Sequence, residues 1–230
     1  MSIPSVAGDE PTRWSIAKTY QACVKKVRNV SRALLQQYGT TSVKRRLWDS
    51  EYAGGRWSCL ESMPNDCVYS HVERYAKGGS ILDLGCGPGT TGAELAAHVY
   101  SSYMGVDISE VAIQKAKERA EENGRSGKNT YVQADIFGFE PPKKYDLILF
   151  GDSLYYVPWR QILSMLNRYA THLEAGGTFV ARIYGHRYQP IIDVIEQNFD
   201  VLEKEVYTDE VFVLTFRPTA ADAQHSGPRR

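Results

Sequence analysis

The stretch ILDLGCGPGTTG, residues 81–92, sets Gly85, Gly87, Gly89 and Gly92 directly behind a short apolar run. Glycine accepts positive φ and carries no Cβ, so it is used where the chain turns sharply or where something must touch the main chain. With ILDL read as a buried strand and the segment after Pro88 as a helix, the glycines occupy the turn at the strand's carboxyl end. In an open α/β sheet ligands sit at that end, against the N–H groups that open the following helix. Gly92, deeper in the helix, is also accounted for by close packing alone.

The chain downstream supports the sheet. Short apolar runs, ILDLG, YMGVD, TYVQAD, YDLILF and TFVARIY, alternate with helical stretches over 90–99, 109–123 and 159–173. Such repeated strand-helix-strand units build a parallel sheet with helices on both faces. A last helix over 190–198 leads to FDVLEKEVYTDEVFVLTF, two runs joined by TDE that predict a hairpin at the sheet edge. Asp107 closes the second run, where a carboxylate can accept both hydroxyls of an adenosine ribose.

Gly87, Gly89 and Gly92 satisfy the G-x-G-x-x-G spacing of dinucleotide sites, so a nicotinamide-dependent oxidoreductase is a competing reading. Asp83, two residues before the first glycine, argues against it. A pyrophosphate gains nothing from that carboxylate, whereas a ligand with an ammonium group does. A non-catalytic module that keeps the fold as a binding surface is the third reading.

Composition bounds the rest. The 230 residues, 43% hydrophobic and 23% charged, suffice for one globular unit and hold no apolar stretch long enough to cross a bilayer. MSIPSVAGDEPTRW at the N-terminus has neither a basic n-region nor an apolar h-region, so the cytoplasm is the expected compartment. Cys23, Cys59, Cys67 and Cys86 form no C-x-x-C pair and are expected to be reduced; Cys59, Cys67 and His71 match no zinc spacing, and no metal is expected. Through Trp48, nine basic residues face only Asp9 and Glu10, so the remainder of this formally neutral chain carries the opposite excess. Apolar residues from Ile16 to Tyr38 at helical spacing predict one amphipathic helix over 13–38, ended by Gly39. It reads as a cap over the ligand site in preference to a helix making weak contact with anionic lipid, because its apolar stripe is narrow. The expected layout is a helical cap and lid over 1–65, a ligand-binding domain over 66–216, and a tail over 217–230 expected to be disordered.

Asp83-Leu-Gly85-Cys-Gly87-Pro-Gly89 resembles motif I of the class I S-adenosylmethionine-dependent methyltransferases, and the similarity continues in order through the chain. Asp107 falls on that family's acidic residue after the second strand. Ala134-Asp135-Ile136 is similar to its adenine-contacting segment, YDLILFGDSLYYV to its fourth motif, and LEAGGTFVARI to the lead into its fifth strand. The resemblance implies a Rossmann-like α/β fold with a seven-stranded sheet of order 3-2-1-4-5-7-6. It implies S-adenosyl-L-methionine as methyl donor, held by Asp83, Gly85, Cys86, Gly87, Gly89, Asp107, Ile108, Ala134, Asp135, Ile136 and Gly151.

Methyl transfer from a sulfonium is an in-line displacement on an already activated carbon, so alignment of the acceptor matters more than a strong base. The acceptor is expected beyond the ends of strands four and five. There Asp152 can hold an acceptor amine, Tyr155 or Tyr156 can line the transfer channel, and His186 is the best candidate base. Methyltransferases acting on exocyclic amines of nucleic acids commonly carry N/D-P-P-Y/F in motif four. This chain reads G-D-S-L-Y-Y, so a small-molecule acceptor is expected and nucleic acid is not. LWDSEYAGGRW, residues 47–57, loosely resembles the W-x-x-x-Y-x-x-G-x-W lead of nodulation N-methyltransferases that act on sugar amines. That likeness implies a lid carrying Trp48, Tyr52, Arg56 and Trp57, with Trp57 near the donor, and a saccharide or amino-sugar acceptor.

Overall fold

The computed structural model describes residues 30–219. The part of the expected first helix before residue 30, and the tail beyond 219, lie outside the described residues. The helix α1 is seen over 30–38 and stops at Gly39, where a Cβ would lie 2.4 Å from the carbonyl oxygen of Leu35. α2 (Thr41–Ala53) follows at once and is closed by Gly54, whose N–H bonds back to Ser50.

α3 (Cys67–Ala76) starts at Asp66, whose carboxylate accepts the N–H of Val68, and ends at Lys77 in the left-handed region ahead of Gly78. The alternating part of the chain then lays down β1 (Ser80–Leu84), β2 (Ser102–Asp107), β3 (Asn129–Gln133), β4 (Tyr145–Gly151) and β5 (Leu173–Tyr184), all parallel. β1 is buried along its whole length, as a central strand covered on both faces must be. The helices between them are α4 (Thr90–Glu94), α5 (Glu110–Glu122) and α6 (Trp159–Ala170). α4 is shorter than the expected 90–99. The Arg125 guanidinium donates to the carbonyls of Gly92 and Leu95, which takes them out of a longer helical ladder.

After α7 (Gln189–Asn198) the chain ends in the expected hairpin, β6 (Phe199–Thr208) and β7 (Val211–Pro218), paired antiparallel around Asp209 and Glu210. β7 also pairs antiparallel with β5, giving the order β3-β2-β1-β4-β5-β7-β6. One face of the sheet packs on α6 and α7 through Phe150, Tyr169, Phe179 and Ile192; the other packs on α3 and α5 through Val72, Tyr103, Ile113 and Ala116. α1 and α2 lie over the carboxyl ends of the central strands. The order reverses between β1 and β4, and the site opens there.

Candidate active site

Gly85, Gly87 and Gly89 all have positive φ (88°, 52° and 75°), so the turn after β1 takes the conformation its composition foretold. Asp107, at the end of β2, is buried and reaches across to it: one carboxylate oxygen accepts the N–H of Gly87 at 2.9 Å and the other that of Ser109 at 2.9 Å. Burial pushes its carboxyl up to about 6, and those main-chain bonds hold it from rising further. Asp83, on the cleft floor, is pushed up to about 7, first by burial and then by Asp107; the Tyr103 hydroxyl donates to it and opposes the rise.

A cavity of about 690 Å³ spreads from this turn across the ends of β2, β3, β4 and β5. α2 forms its roof. Trp48 packs edge-on against Tyr156 at 4.8 Å, joining the roof to the short turn Leu154–Tyr156 beyond β4, and lies tilted by 33° against Trp57 at 5.8 Å. Tyr52 hangs above Gly87, where a Cβ would stand 3.0 Å from its hydroxyl. The roof is pinned at two further points. Asp49 accepts the hydroxyl of Ser109 at 2.7 Å, and buried Glu51 accepts Trp57 Nε1 at 2.9 Å with Arg32 3.4 Å away.

Of the expected donor-binding residues, Asp83, Gly85, Cys86, Gly87, Asp107, Ile108, Asp135, Ile136, Gly151 and Trp57 line this cavity. Gly89 and Ala134 do not. A Cβ on Gly89 would sit 2.8 Å from Cβ of Ala116, so this glycine fits the turn against α5, and Ala134 packs against the core. Gly92 is a packing glycine too: a Cβ would lie 2.6 Å from Tyr131 Oη. Asp135 is engaged by α2, accepting from Thr41 at 3.2 Å with Lys44 at 3.9 Å.

At the other end of the cavity stand Asp152, Tyr155 and Tyr156, three of the four expected catalytic residues. Asp152 has φ 55° without being glycine, and its carboxylate pairs with Arg182 on β5. Arg182 also stands 3.4 Å from Asp66. Tyr155 stacks on Tyr188 at 4.4 Å. Burial raises the hydroxyls of Tyr155 and Tyr156, so neither is poised as a base at neutral pH. His186 is not at the cavity: it packs edge-on against Phe212 at 5.4 Å, because Gly185, at φ 109°, turns the chain away after β5. His71 is likewise remote, its ring between Thr215 and Tyr207, and Cys67 turns its thiol to Asp66. Lys44, Asp66, Met63 and Tyr69 also line the cavity, and Asp66 stands there because it caps the start of α3.

The bare turn after β1, the carboxylate at the end of β2 and the sheet order are those of the class I S-adenosylmethionine-dependent methyltransferase fold. Residues 81–177 match the family described as a methyltransferase domain. It is 25% identical over 151 residues to malonyl-[acyl-carrier protein] O-methyltransferase 1 of Ilyobacter polytropus, covering 62% of this chain and 54% of that one. It is 27% identical over 140 residues to ribosomal RNA small subunit methyltransferase C of Haemophilus influenzae, covering 59% and 40%. The chain thus spans about half the length, or less, of these curated relatives. The crystal structure of the N-methyltransferase NodS from Bradyrhizobium japonicum with S-adenosyl-L-homocysteine superposes with a TM-score of 0.54, at 19% identity over 65% of this chain and 85% of NodS. That likeness shows the fold.

The residues fit the donor. Positive φ at three glycines, a roof hydroxyl 3.0 Å from where a Gly87 Cβ would sit, and a carboxylate at the end of β2 form a cradle that fits an adenosine-bearing ligand. Asp107 would hold the ribose, Asp135 and Ile136 the adenine, and the Gly85–Gly87 turn with Asp83 the methionine end. The donor, when bound, supplies a methyl group on a positively charged sulfur. The chain's own work would then be to bind it, exclude water beneath Trp48 and Tyr52, and align an acceptor near Asp152, Tyr155 and Tyr156.

Proposed function

We propose that this protein transfers the methyl group of S-adenosylmethionine to a nitrogen or oxygen of a small molecule. The observation that carries the reading is the continuity of one roofed cavity, from Asp107 at the donor end to Asp152 and Arg182 at the other. The aromatic roof supports a small acceptor over a folded RNA or protein, because Trp48, Tyr52 and Trp57 narrow the approach to the reacting end. An amine is favoured over a hydroxyl by the shortage of bases. With His186 turned away and the tyrosine hydroxyls raised, the cavity offers Asp152 as an acceptor for an N–H, and a saccharide amine fits the mixture of aromatic and carboxylate walls.

The test begins with calorimetry of S-adenosylmethionine and S-adenosylhomocysteine binding, with Asp107→Ala as control. A radiolabelled-methyl screen of amino sugars, neutral saccharides and phenols follows. Binding of a pyridine dinucleotide with no affinity for either sulfur ligand would overturn the reading.

A further inference from the structure

A second groove of about 350 Å³ opens beside the cavity and shares Gln37, Tyr155 and Val157 with it. Its other walls are Trp159, Tyr188, Pro190 and Ile191, with Arg187 at the rim. Gln37 donates to the Val157 carbonyl at 3.1 Å, and Tyr155 lies flat on Tyr188, so the wall between the two spaces is one residue thick.

Arg187 at the rim, and Arg160 beside it on the neighbouring helix, each lie on an aromatic face. The Arg187 guanidinium lies 4.7 Å from the Tyr188 ring centre, and that of Arg160 lies 5.2 Å from the ring of Trp159, which is 55% exposed. Neither forms an ion pair among the described residues, whereas Arg74, Arg168, Arg182 and Arg217 each face a carboxylate. A guanidinium laid on an aromatic face keeps its N–H edge free for a planar anion. The acceptor end of the cavity is the reverse: Asp66 and Asp152 outnumber Arg182 there.

We propose that this groove is the distal subsite for the acceptor and takes an apolar or aromatic body that carries an anionic group. The inference rests on the methyltransferase reading above. A molecule that fills both spaces would place its nucleophile among Asp152, Tyr155 and Tyr156, pass Tyr155, and end against Arg187. The shared residue Tyr155 and the opposite charges at the two ends select such an extended, two-ended acceptor.

Two matched probes test this on full-length protein loaded with S-adenosylhomocysteine, whose own binding is measured first by calorimetry. One is 5-(2-aminoethylamino)naphthalene-1-sulfonate; the other is N-(1-naphthyl)ethylenediamine, the same body without the sulfonate. One charge-assisted contact corresponds to about tenfold in affinity, so the sulfonate probe is expected to bind about ten times more tightly. Both probes carry the same ammonium group and differ only in the sulfonate; Arg187→Gln should erase the preference by weakening the sulfonate probe, and Trp159→Ala should weaken both. Equal affinity for the two probes, no binding of either, or a preference that survives Arg187→Gln overturns the subsite. If homocysteine by-product binds and the preference is missing, only the subsite falls. If the by-product does not bind, the methyltransferase reading falls and the subsite falls with it.

Discussion

Asp107 holds the main-chain N–H of Gly87 at 2.9 Å, so the carboxylate proposed for the donor ribose also ties down the turn proposed to seat the donor. Removing it takes away both functions. A hydrogen bond to a charged group contributes about 1.5–3 kcal/mol, so Asp107→Ala is expected to weaken S-adenosylhomocysteine by about 10- to 100-fold. Asp107→Asn should lose less, since it keeps an acceptor for Gly87. Calorimetry decides, and a loss under about tenfold for the alanine variant counts against the ribose role.

The two buried carboxylates give the protein a particular dependence on pH. Burial raises Asp83 to about 7 and Asp107 to about 6, above their values in the unfolded chain. The folded state therefore holds extra protons in mild acid, and the stability linked to them is lost as pH rises from the ordinary carboxylate range through about 7. Asp83→Asn should raise the unfolding temperature by an amount that grows between pH 4 and pH 7 and levels off above. A cationic donor favours the ionised carboxylates, so its affinity should rise over the same interval, with proton release visible as a buffer-dependent heat.

Close packing at Gly92 can be read separately from ligand binding. An added methyl would meet Tyr131 Oη at 2.6 Å and Tyr103 Cε1 at 2.9 Å. Gly92→Ala is expected to destabilise the protein by about 1–3 kcal/mol. Gly127→Ala, where a Cβ meets nothing within 4 Å and φ is not positive, should be neutral or slightly stabilising. Urea unfolding of the pair checks this, and equal effects would mean that the crowding at Gly92 relaxes at no cost.

Trp57 ties the end of the roof to Glu51 through a 2.9 Å hydrogen bond. Trp57→Phe keeps the ring and deletes the N–H. The loss of about 1 kcal/mol should appear as faster release of S-adenosylhomocysteine, by roughly five-fold in a stopped-flow displacement experiment. An unchanged release rate would show that the roof is held without this bond.

The parts of this fold set by local chemistry were legible in the sequence. ILDL ahead of spaced glycines can only be a buried strand and a tight turn, Asp66 caps α3 by its own side chain, and alternating burial marks β6 as an edge strand. The pairings that cross the sheet were not legible. Arg182 meets Asp152 and Asp66 because β4 and β5 lie in register and α3 begins beside them, a relation among residues far apart in the chain. His186 looked like a base because it follows β5, but the backbone at Gly185 decides which way it faces. Asp49 gave no signal at all: its meaning comes from α2 docking on the start of α5.

Ser109 touches two acids at once, donating its hydroxyl to Asp49 in α2 and its main-chain N–H to Asp107. Cover and floor therefore meet at this residue, and lifting the cover there would pull on the turn that Asp107 holds. If the donor is held as proposed, its exit requires the contact between Ser109 and Asp49 to part, and release is expected to quicken when that contact is removed.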